Sequence, residues 1–457
     1  MKPLLVQFEQ NLVNSKIIDT DTSVGGTFVW LPDGMAMRNL FVEAVKKICA
    51  KYNFEENLFP TLVASGDFAN MASNIKDFSR NVFWTDKDKL LLRPSGESLI
   101  YPAFKRWIKT ERDLPVRVFQ IGTSFRNVTP RGVFRLRESE PFIEAHTAHS
   151  TRLQAEKQVE ENIRLFEEIL DFMGLPAIQT QRPQWSNNPV AEKTFAFDTL
   201  MPNGETIHLN SVYQQMQIFS KPFGIKFNDK NGQKDYTYQT EFGFSARMMF
   251  ACLLLTMDSK GLNFPPQIAP KQVVIVPVLG KNSEEIMAYT NKIKEALQNA
   301  GYRIVMDDDT RKSVGEKRYQ YEAKGIPLRI EIGQNETQES TVTIISRETN
   351  ERVKVPLSTI EKQVGIMLDE TLKKIKLRLS SRHILDVIRS SSAEDIQATI
   401  EGGKIATYPL CFDEKCSNDI EKKARGEVLG YNHEEIAESC VVCNKPTEYV
   451  AYQARHI

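Results

Sequence analysis

The chain has 457 residues, 41% hydrophobic and 26% charged, enough for two or three cores in a water-exposed fold. Lys plus Arg and Asp plus Glu each number 59, which excludes a global basic field, so any nucleic acid must be met by a local patch. No apolar run approaches the ~20 residues that span a bilayer, and the acid in the opening MKPLLVQFEQ is foreign to a secretory signal, so a cytoplasmic protein is expected.

Residues 34 to 52 place apolar groups at helical spacing and run into NFEENLFPTLV, read as a strand ending near Pro60. From 89 to 149, strand-like KLLLRP, VRVFQIG and VFRLRE alternate with a helix containing Tyr101 to Trp107, and a periodic charged helix follows over 151 to 173. FAFDTL, a turn at Pro202, Asn203 and Gly204, IHLNSVY and a hairpin around NDKNGQK continue the pattern. Together they predict an antiparallel sheet with helices on one side. FSARMMFACLLLTM, at 244 to 257, reads as a buried helix whose one charge, Arg247, requires either an anion in a polar cleft or a core carboxylate.

GLNFPPQIAPK, at 261 to 271, is a proline-rich break between domains. Beyond it QVVIVPV, a helix over 282 to 300, YRIVMDD, a second helix, LRIEIG, TVTIIS and a last helix near 358 to 378 predict a small α/β domain with a largely parallel sheet. The tail from about 380 holds Cys411, Cys416, Cys440 and Cys443 as C-x4-C and C-x2-C around a helical connector, the spacing of a tetrahedral thiolate zinc site. Four thiolates would fill the metal's coordination shell, so the zinc would be structural; a fold that keeps the cysteines without metal is the alternative. Cys49 and Cys252 stand alone in apolar patterns, as small buried side chains do.

The segment from Arg126 to Glu138, RNVTPRGVFRLRE, gathers arginines around a turn, HTAH follows at His146 to His149, and Arg247 answers from a distant helix. Clustered guanidinium groups suit a bent polyphosphate, which points to ATP. With DLPVRVFQIGTSFR, EAHTAHST, TFAFDTLMPNG, DYTYQTEFGFSAR, KGLNFPPQIAPKQVVIVPV, KGIPLRIEIG and KPTEYVAYQAR in that order, the chain resembles the class II aminoacyl-tRNA synthetases, specifically prolyl-tRNA synthetases of the archaeal and eukaryotic type, over nearly its whole length.

The resemblance implies an α+β chain with a class II catalytic domain over 1–268, an anticodon-binding domain over 269–378 and a small C-terminal zinc-binding domain over 379–457. It implies a homodimer joined through residues about 23 to 62, and ATP, Mg2+ and structural Zn2+ as cofactors. The expected reaction joins proline to ATP as an adenylate and passes the acyl group to tRNA. By match to the family, Arg126 grips the α-phosphate and the substrate carboxylate, Arg135 contacts ATP from the motif loop, and Arg247 holds the γ-phosphate beside adenine. Pro94, Ser95, Gly96 and Glu97 stand where the family has Pro-Thr-Ser-Glu. Glu97 would accept from the substrate's ammonium or imino group, Ser95 would keep a hydroxyl, and Phe142 would form an aromatic wall. Ser211 and Gly243 join the substrate pocket, and Arg329 and Glu331 match the strand that reads the anticodon; in isolation they would pass for solvated strand residues.

The chain also departs from the family. Val128 replaces the acid that receives the adenine amino group, the motif loop is shorter, and Ser139 replaces an aromatic. His208 stands for a glutamine, Tyr213 for a histidine, and Glu241 and Phe242 precede the motif glycine. Two further readings therefore stay open: a paralogue that activates another amino acid or uses another acceptor, and a catalytically silent tRNA-binding regulator.

Overall fold

Alternation along three neighbouring strands decides which way the catalytic sheet faces. Ile143 and Ala145 interleave with Phe142, Glu144 and His146; Phe242 and Phe244 interleave with Glu241 and Gly243; Val212 lies between Ser211 and Tyr213. Successive strand residues point to opposite faces. The apolar set joins Phe119, Phe166 and Phe197 in one core, and the polar set is left on the other face. The computed structural model that reveals this describes residues 4–72, 81–183, 185, 190–280 and 282–456.

Two helices close the core. Arg152–Met173 begins at Thr151, which accepts from the Gln154 N–H in a reciprocal capping box, and stops at Gly174 in the left-handed region. Arg247–Thr256 is buried from Met248 to Thr256. Burying a side chain such as Phe166 or Phe250 contributes about 2–3 kcal/mol each.

Among the described residues the sheet runs, in spatial order, Val387–Arg389, Ile405–Pro409, Pro446–His456, Glu427–Ser439, Ile178–Arg182, Lys193–Leu200, Glu205–Met216, Tyr238–Ser245, Glu138–His149, Val116–Phe125 and Glu55–Glu56. The block from Ile178–Arg182 to Val116–Phe125 is antiparallel throughout, as expected. The strands after residue 386 extend the same sheet. Tyr431 pairs with Gln181, and Glu205 and Thr206 pair in parallel with Arg455 and His456.

The second sheet has the order Ile304–Met306, Val273–Pro277, Leu328–Ile332, Thr341–Ser346, Arg352–Pro356. Its first three strands are parallel, and the last two antiparallel. The largely parallel sheet expected from the sequence is thus mixed, because the short links after Ile332 and Ser346 leave no room for a crossover. Helices Ser283–Asn299, Val314–Lys324 and Ile360–Leu385 pack on it; the last runs past the expected end at 378.

Three local expectations are corrected. KLLLRP supplies Leu90–Leu92 to a separate small sheet with Leu62–Ala64 and Trp84–Thr85. VFRLRE is loop up to Arg137, because Gly132 turns the chain at positive φ and Phe134 leaves to stack on Phe8, 5.8 Å between centroids. Phe244 and Ser245 end a strand, so Arg247 is the first residue of its helix instead of lying inside it. No helix among the described residues is long and apolar enough to cross a membrane.

Candidate active site

Cross-strand register assembles a floor. Phe142 lies opposite Gly122 and Ser245, Glu144 opposite Gln120 and Gly243, His146 opposite Glu241, Ser211 opposite Gly243, and Tyr213 opposite Glu241. Opposed residues share a face. Of the residues singled out in the sequence, Phe142, Ser211, Tyr213, Glu241 and Gly243 therefore lie on one surface, turned away from the core.

The turn before helix Glu97–Trp107 is fastened over this floor. Arg93, 3% exposed, crosses beneath it: Nε donates to the Thr123 carbonyl (2.9 Å), and Nη1 to the Phe59 carbonyl (3.0 Å) and Gln120 Oε1 (2.8 Å). Gly122 makes the passage possible, since a Cβ there would lie 1.8 Å from Arg93 Nη2. The Pro94 carbonyl accepts from Ser124 Oγ (2.7 Å) and Arg126 Nε (3.2 Å). The Gly96 N–H donates to Glu144 Oε2 (2.8 Å), while Gln120 Nε2 donates to Oε1 (2.5 Å). A side chain at residue 96 would collide with Glu144, its Cβ only 2.7 Å from Oε1. Burial alone would raise the Glu144 pKa, but His146, the Gly96 N–H and Arg93 outweigh it and hold the carboxyl below its usual range. Ser95 and Glu97 are thereby fixed over the floor, both buried. Glu97 Oε2 is buried with no partner among the described residues, which is how a carboxylate meant for a ligand looks before the ligand arrives.

The predicted arginines converge at one end of the floor. The Arg126 guanidinium lies 5.7 Å from the Phe142 ring centroid. Arg247 donates from Nη1 to the His208 carbonyl (3.1 Å), and its Nε is buried without a partner. Burial, then repulsion from Arg126 and Arg135, pushes the Arg247 pKa down to about 10. Among the described residues none of the three is in an ion pair, so the core-carboxylate alternative for Arg247 is not realised. Like charges held together without a counter-ion form an anion site. Arg135 is exposed on the loop, whereas Arg137 is spent on structure, donating to the carbonyls of Val128 and Gly25.

His208 is tied down by Asp198 (Nδ1 to Oδ1, 3.2 Å) and Ser211 (Nε2 to Oγ, 3.1 Å). Asp198 also receives two hydrogen bonds from Arg182 Nη2 (3.0 and 2.8 Å). Burial lowers the His208 pKa despite Asp198. His456, from the far end of the chain, meets Thr206 Oγ1 at 3.0 Å beside this group, and burial pushes its pKa down to about 4.

Two predicted groups lie elsewhere. Arg329 and Glu331 are buried and bonded to each other (2.9 Å); Glu331 also receives two 2.6 Å hydrogen bonds from Arg318. The reading of solvated strand residues is thereby corrected: the network buries both, and Arg318 is its more exposed member. The ligand atoms of Cys411, Cys416, Cys440 and Cys443 all lie within 4.8 Å of one another. Cys411 Sγ and Cys443 Sγ are 3.7 Å apart, close to the ~3.8 Å edge of a tetrahedron with ~2.3 Å zinc–sulfur bonds. Burial would raise the Cys440 thiol, but N–H groups of Cys411, Cys443 and Val442 outweigh it and bring the thiol down to about 7. Burial and the neighbouring thiols push Cys411 and Cys416 up, so without a metal only one of these three thiols is favoured as the thiolate that coordination needs. The set fits a zinc ion.

Sequence reading passed over Arg93, Gln120, Glu144 and Gln215, and met Tyr101 and His146 only as members of a helix and of the HTAH motif. Glu144 and His146 carried a signal, two ionisable residues two apart on a strand whose intervening positions are apolar. Arg93 and Gln215 carried none, because their partners come from distant segments.

A sheet of this kind with guanidinium groups at one end defines a class II tRNA synthetase core, and residues 82–255 match the family model described as the tRNA synthetase class II core domain (G, H, P, S and T). Residues 272–365 match the anticodon binding domain. The proline–tRNA ligase of Methanococcoides burtonii is 35% identical, across 96% of this chain and 94% of the relative. Prolyl-tRNA synthetase of Giardia lamblia, solved with prolyl-adenylate, superposes with a TM-score of 0.95 at 27% identity, covering 99% of this chain and 98% of the other. The Cryptosporidium parvum enzyme, solved with halofuginone and AMPPNP, gives 0.92 at 25% identity, covering 98% and 96%. The chain belongs to the proline–tRNA ligase family.

Proposed function

We propose that the chain activates proline with ATP as prolyl-adenylate and transfers the prolyl group to tRNA. The observation that carries this reading is the gathering of Arg126, Arg135 and Arg247, without a counter-ion among the described residues, beside a buried Glu97 with an unpartnered oxygen. Proline and ATP supply the missing complements: a carboxylate and phosphates for the arginines, a cationic imino group for Glu97. A carboxylate oxygen of proline attacks the α-phosphorus, a bond forms there, and the bond to the leaving pyrophosphate breaks. Arg126 holds both anions in line, and Arg247 and Arg135 take up charge on the departing phosphates. Mg2+ contributes further neutralisation when bound. Ser95 and Glu97 orient the imino group, Phe142 walls the ring, and Ser211, Tyr213, Glu241, Gly243 and His208 shape the floor.

The division into 1–268, 269–378 and 379–457 follows this reading, with zinc on the four cysteines and with Arg329 and Glu331 holding the exposed Arg318 toward the anticodon loop. Exposed Val24, Val29, Met35, Leu58 and Leu62 support a homodimer formed through residues about 23 to 62. The protein would act in the cytoplasm, where thiolates stay reduced. Proline-dependent ATP–pyrophosphate exchange, followed by charging of tRNA, tests the function. Absence of exchange with any amino acid overturns it.

A further inference from the structure

The floor holds one carboxylate more than proline needs. Glu241, 9% exposed, faces Tyr213 on one side and His146 on the other. Among the described residues it makes one hydrogen bond, from Gln215 Nε2 to Oε2, and Gln215 in turn receives the Tyr101 hydroxyl. Burial raises the Glu241 pKa well above the usual carboxylate range, and Glu97 and Glu144 raise it further; Arg126 only partly offsets them. Glu144 is satisfied internally by Gly96, Gln120 and His146.

Matching each polar group of the bound substrate to a partner leaves Glu241 over. In the proposed function the substrate carboxylate is matched by Arg126 and its imino cation by Glu97, whose Oε2 is otherwise orphaned. The ring carbons of proline offer no donor, and a buried carboxyl facing only CH2 groups is penalised whether ionised or not. The cost disappears if the ring itself carries a donor.

Resting on that reading, we infer that the pocket is built for a proline whose ring bears a proton-donating substituent, a hydroxyl or a protonated amine, which donates to Glu241 beside the Tyr213 phenol. Glu241 is then the specificity-determining residue of the site.

The test is ATP–pyrophosphate exchange by the full chain with L-proline and with its 3- and 4-hydroxy and 3- and 4-amino derivatives in both ring configurations. In the unaltered protein at least one derivative is expected to match or exceed proline in kcat/KM. Glu241→Ser should lower the derivative-to-proline ratio ~10-fold or more, since a site that loses its partner for a substrate donor loses discrimination on that scale. The isosteric Glu241→Gln, which preserves volume if the serine variant misfolds, should lower the ratio for the amines most. All derivatives below a tenth of proline, or a ratio that neither substitution moves, overturns the inference and leaves prolyl transfer standing. No exchange with any amino acid overturns both.

Discussion

Replacing Arg247 with methionine separates what the site needs from what the fold needs. The guanidinium is crowded by burial and by Arg126 and Arg135, which push its pKa down to about 10. A group whose folded-state pKa lies below its unfolded value is a charge that folding disfavours, so at pH 7 Arg247 costs the folded chain about 3 kcal/mol at ~1.4 kcal/mol per tenfold. Methionine removes that cost, fills similar space, and forfeits the hydrogen bond to the His208 carbonyl, worth about 1 kcal/mol. The nucleotide-free protein should therefore gain about 2 kcal/mol, a rise in melting temperature of about 4 °C. Loss of a preorganised donor to the phosphates should lower kcat/KM for exchange about 100- to 1000-fold, and the stabilisation conferred by added ATP should vanish with it. Thermal melts with and without ATP, read beside pyrophosphate exchange, decide the matter. A variant that melts several degrees lower without nucleotide yet exchanges normally would make Arg247 a structural cation and remove it from the site.

His149, 2% exposed, bonds Thr147 Oγ1 and has its pKa pushed by burial and Arg117 down to about 3. The unfolded chain binds its proton first as pH falls below ~6.5, so the contribution of this residue to stability falls by about 2 kcal/mol between pH 7 and pH 5, and His149→Gln should remove that share of the slope in urea melts while the share of His208 and His456 stays. Glu331→Gln keeps one oxygen for Arg318 and Arg329 but removes the charge and turns the second acceptor, which receives Arg318 Nη2, into an opposing NH2 donor. It should raise the KM for tRNA ~10-fold, with exchange, which needs no tRNA, unchanged; an equal fall in both activities would deny the strand a part in tRNA binding. Cys440→Ser should release about one zinc per chain by elemental analysis and lower the melting temperature of the tail. A metal-free wild-type protein of full stability would contradict the structural role.

The floor was legible because period-two alternation in EPFIEAH, IHLNSVY and TEFGF tells which side chains are turned from the core once the strands are recognised. Register was not: that Glu241 meets Tyr213 and His146 follows from three strands pairing together, which no single segment encodes. VFRLRE looked like a strand because its apolar residues alternate, yet Val133 and Phe134 are buried through a turn. Arg329 and Glu331 sit two apart on one strand, a spacing that suits an exposed reading face equally well as an internal ion pair. Arg318, thirteen residues upstream of Glu331, and Glu322 on the same helix decide for the internal pair.

The parallel pairing of Glu205 and Thr206 with Arg455 and His456 has a consequence for how the molecule is made. Thr206 Oγ1 donates to the Arg455 carbonyl across 249 positions of sequence. A ribosome adding residues at about 5–20 per second exposes the Glu205–Met216 strand well before its neighbour emerges. During that interval the nascent protein carries an unfinished sheet margin next to Asp198 and His208, open to wrong partners. Shielding by a chaperone, or a pause late in translation, would matter most for this margin.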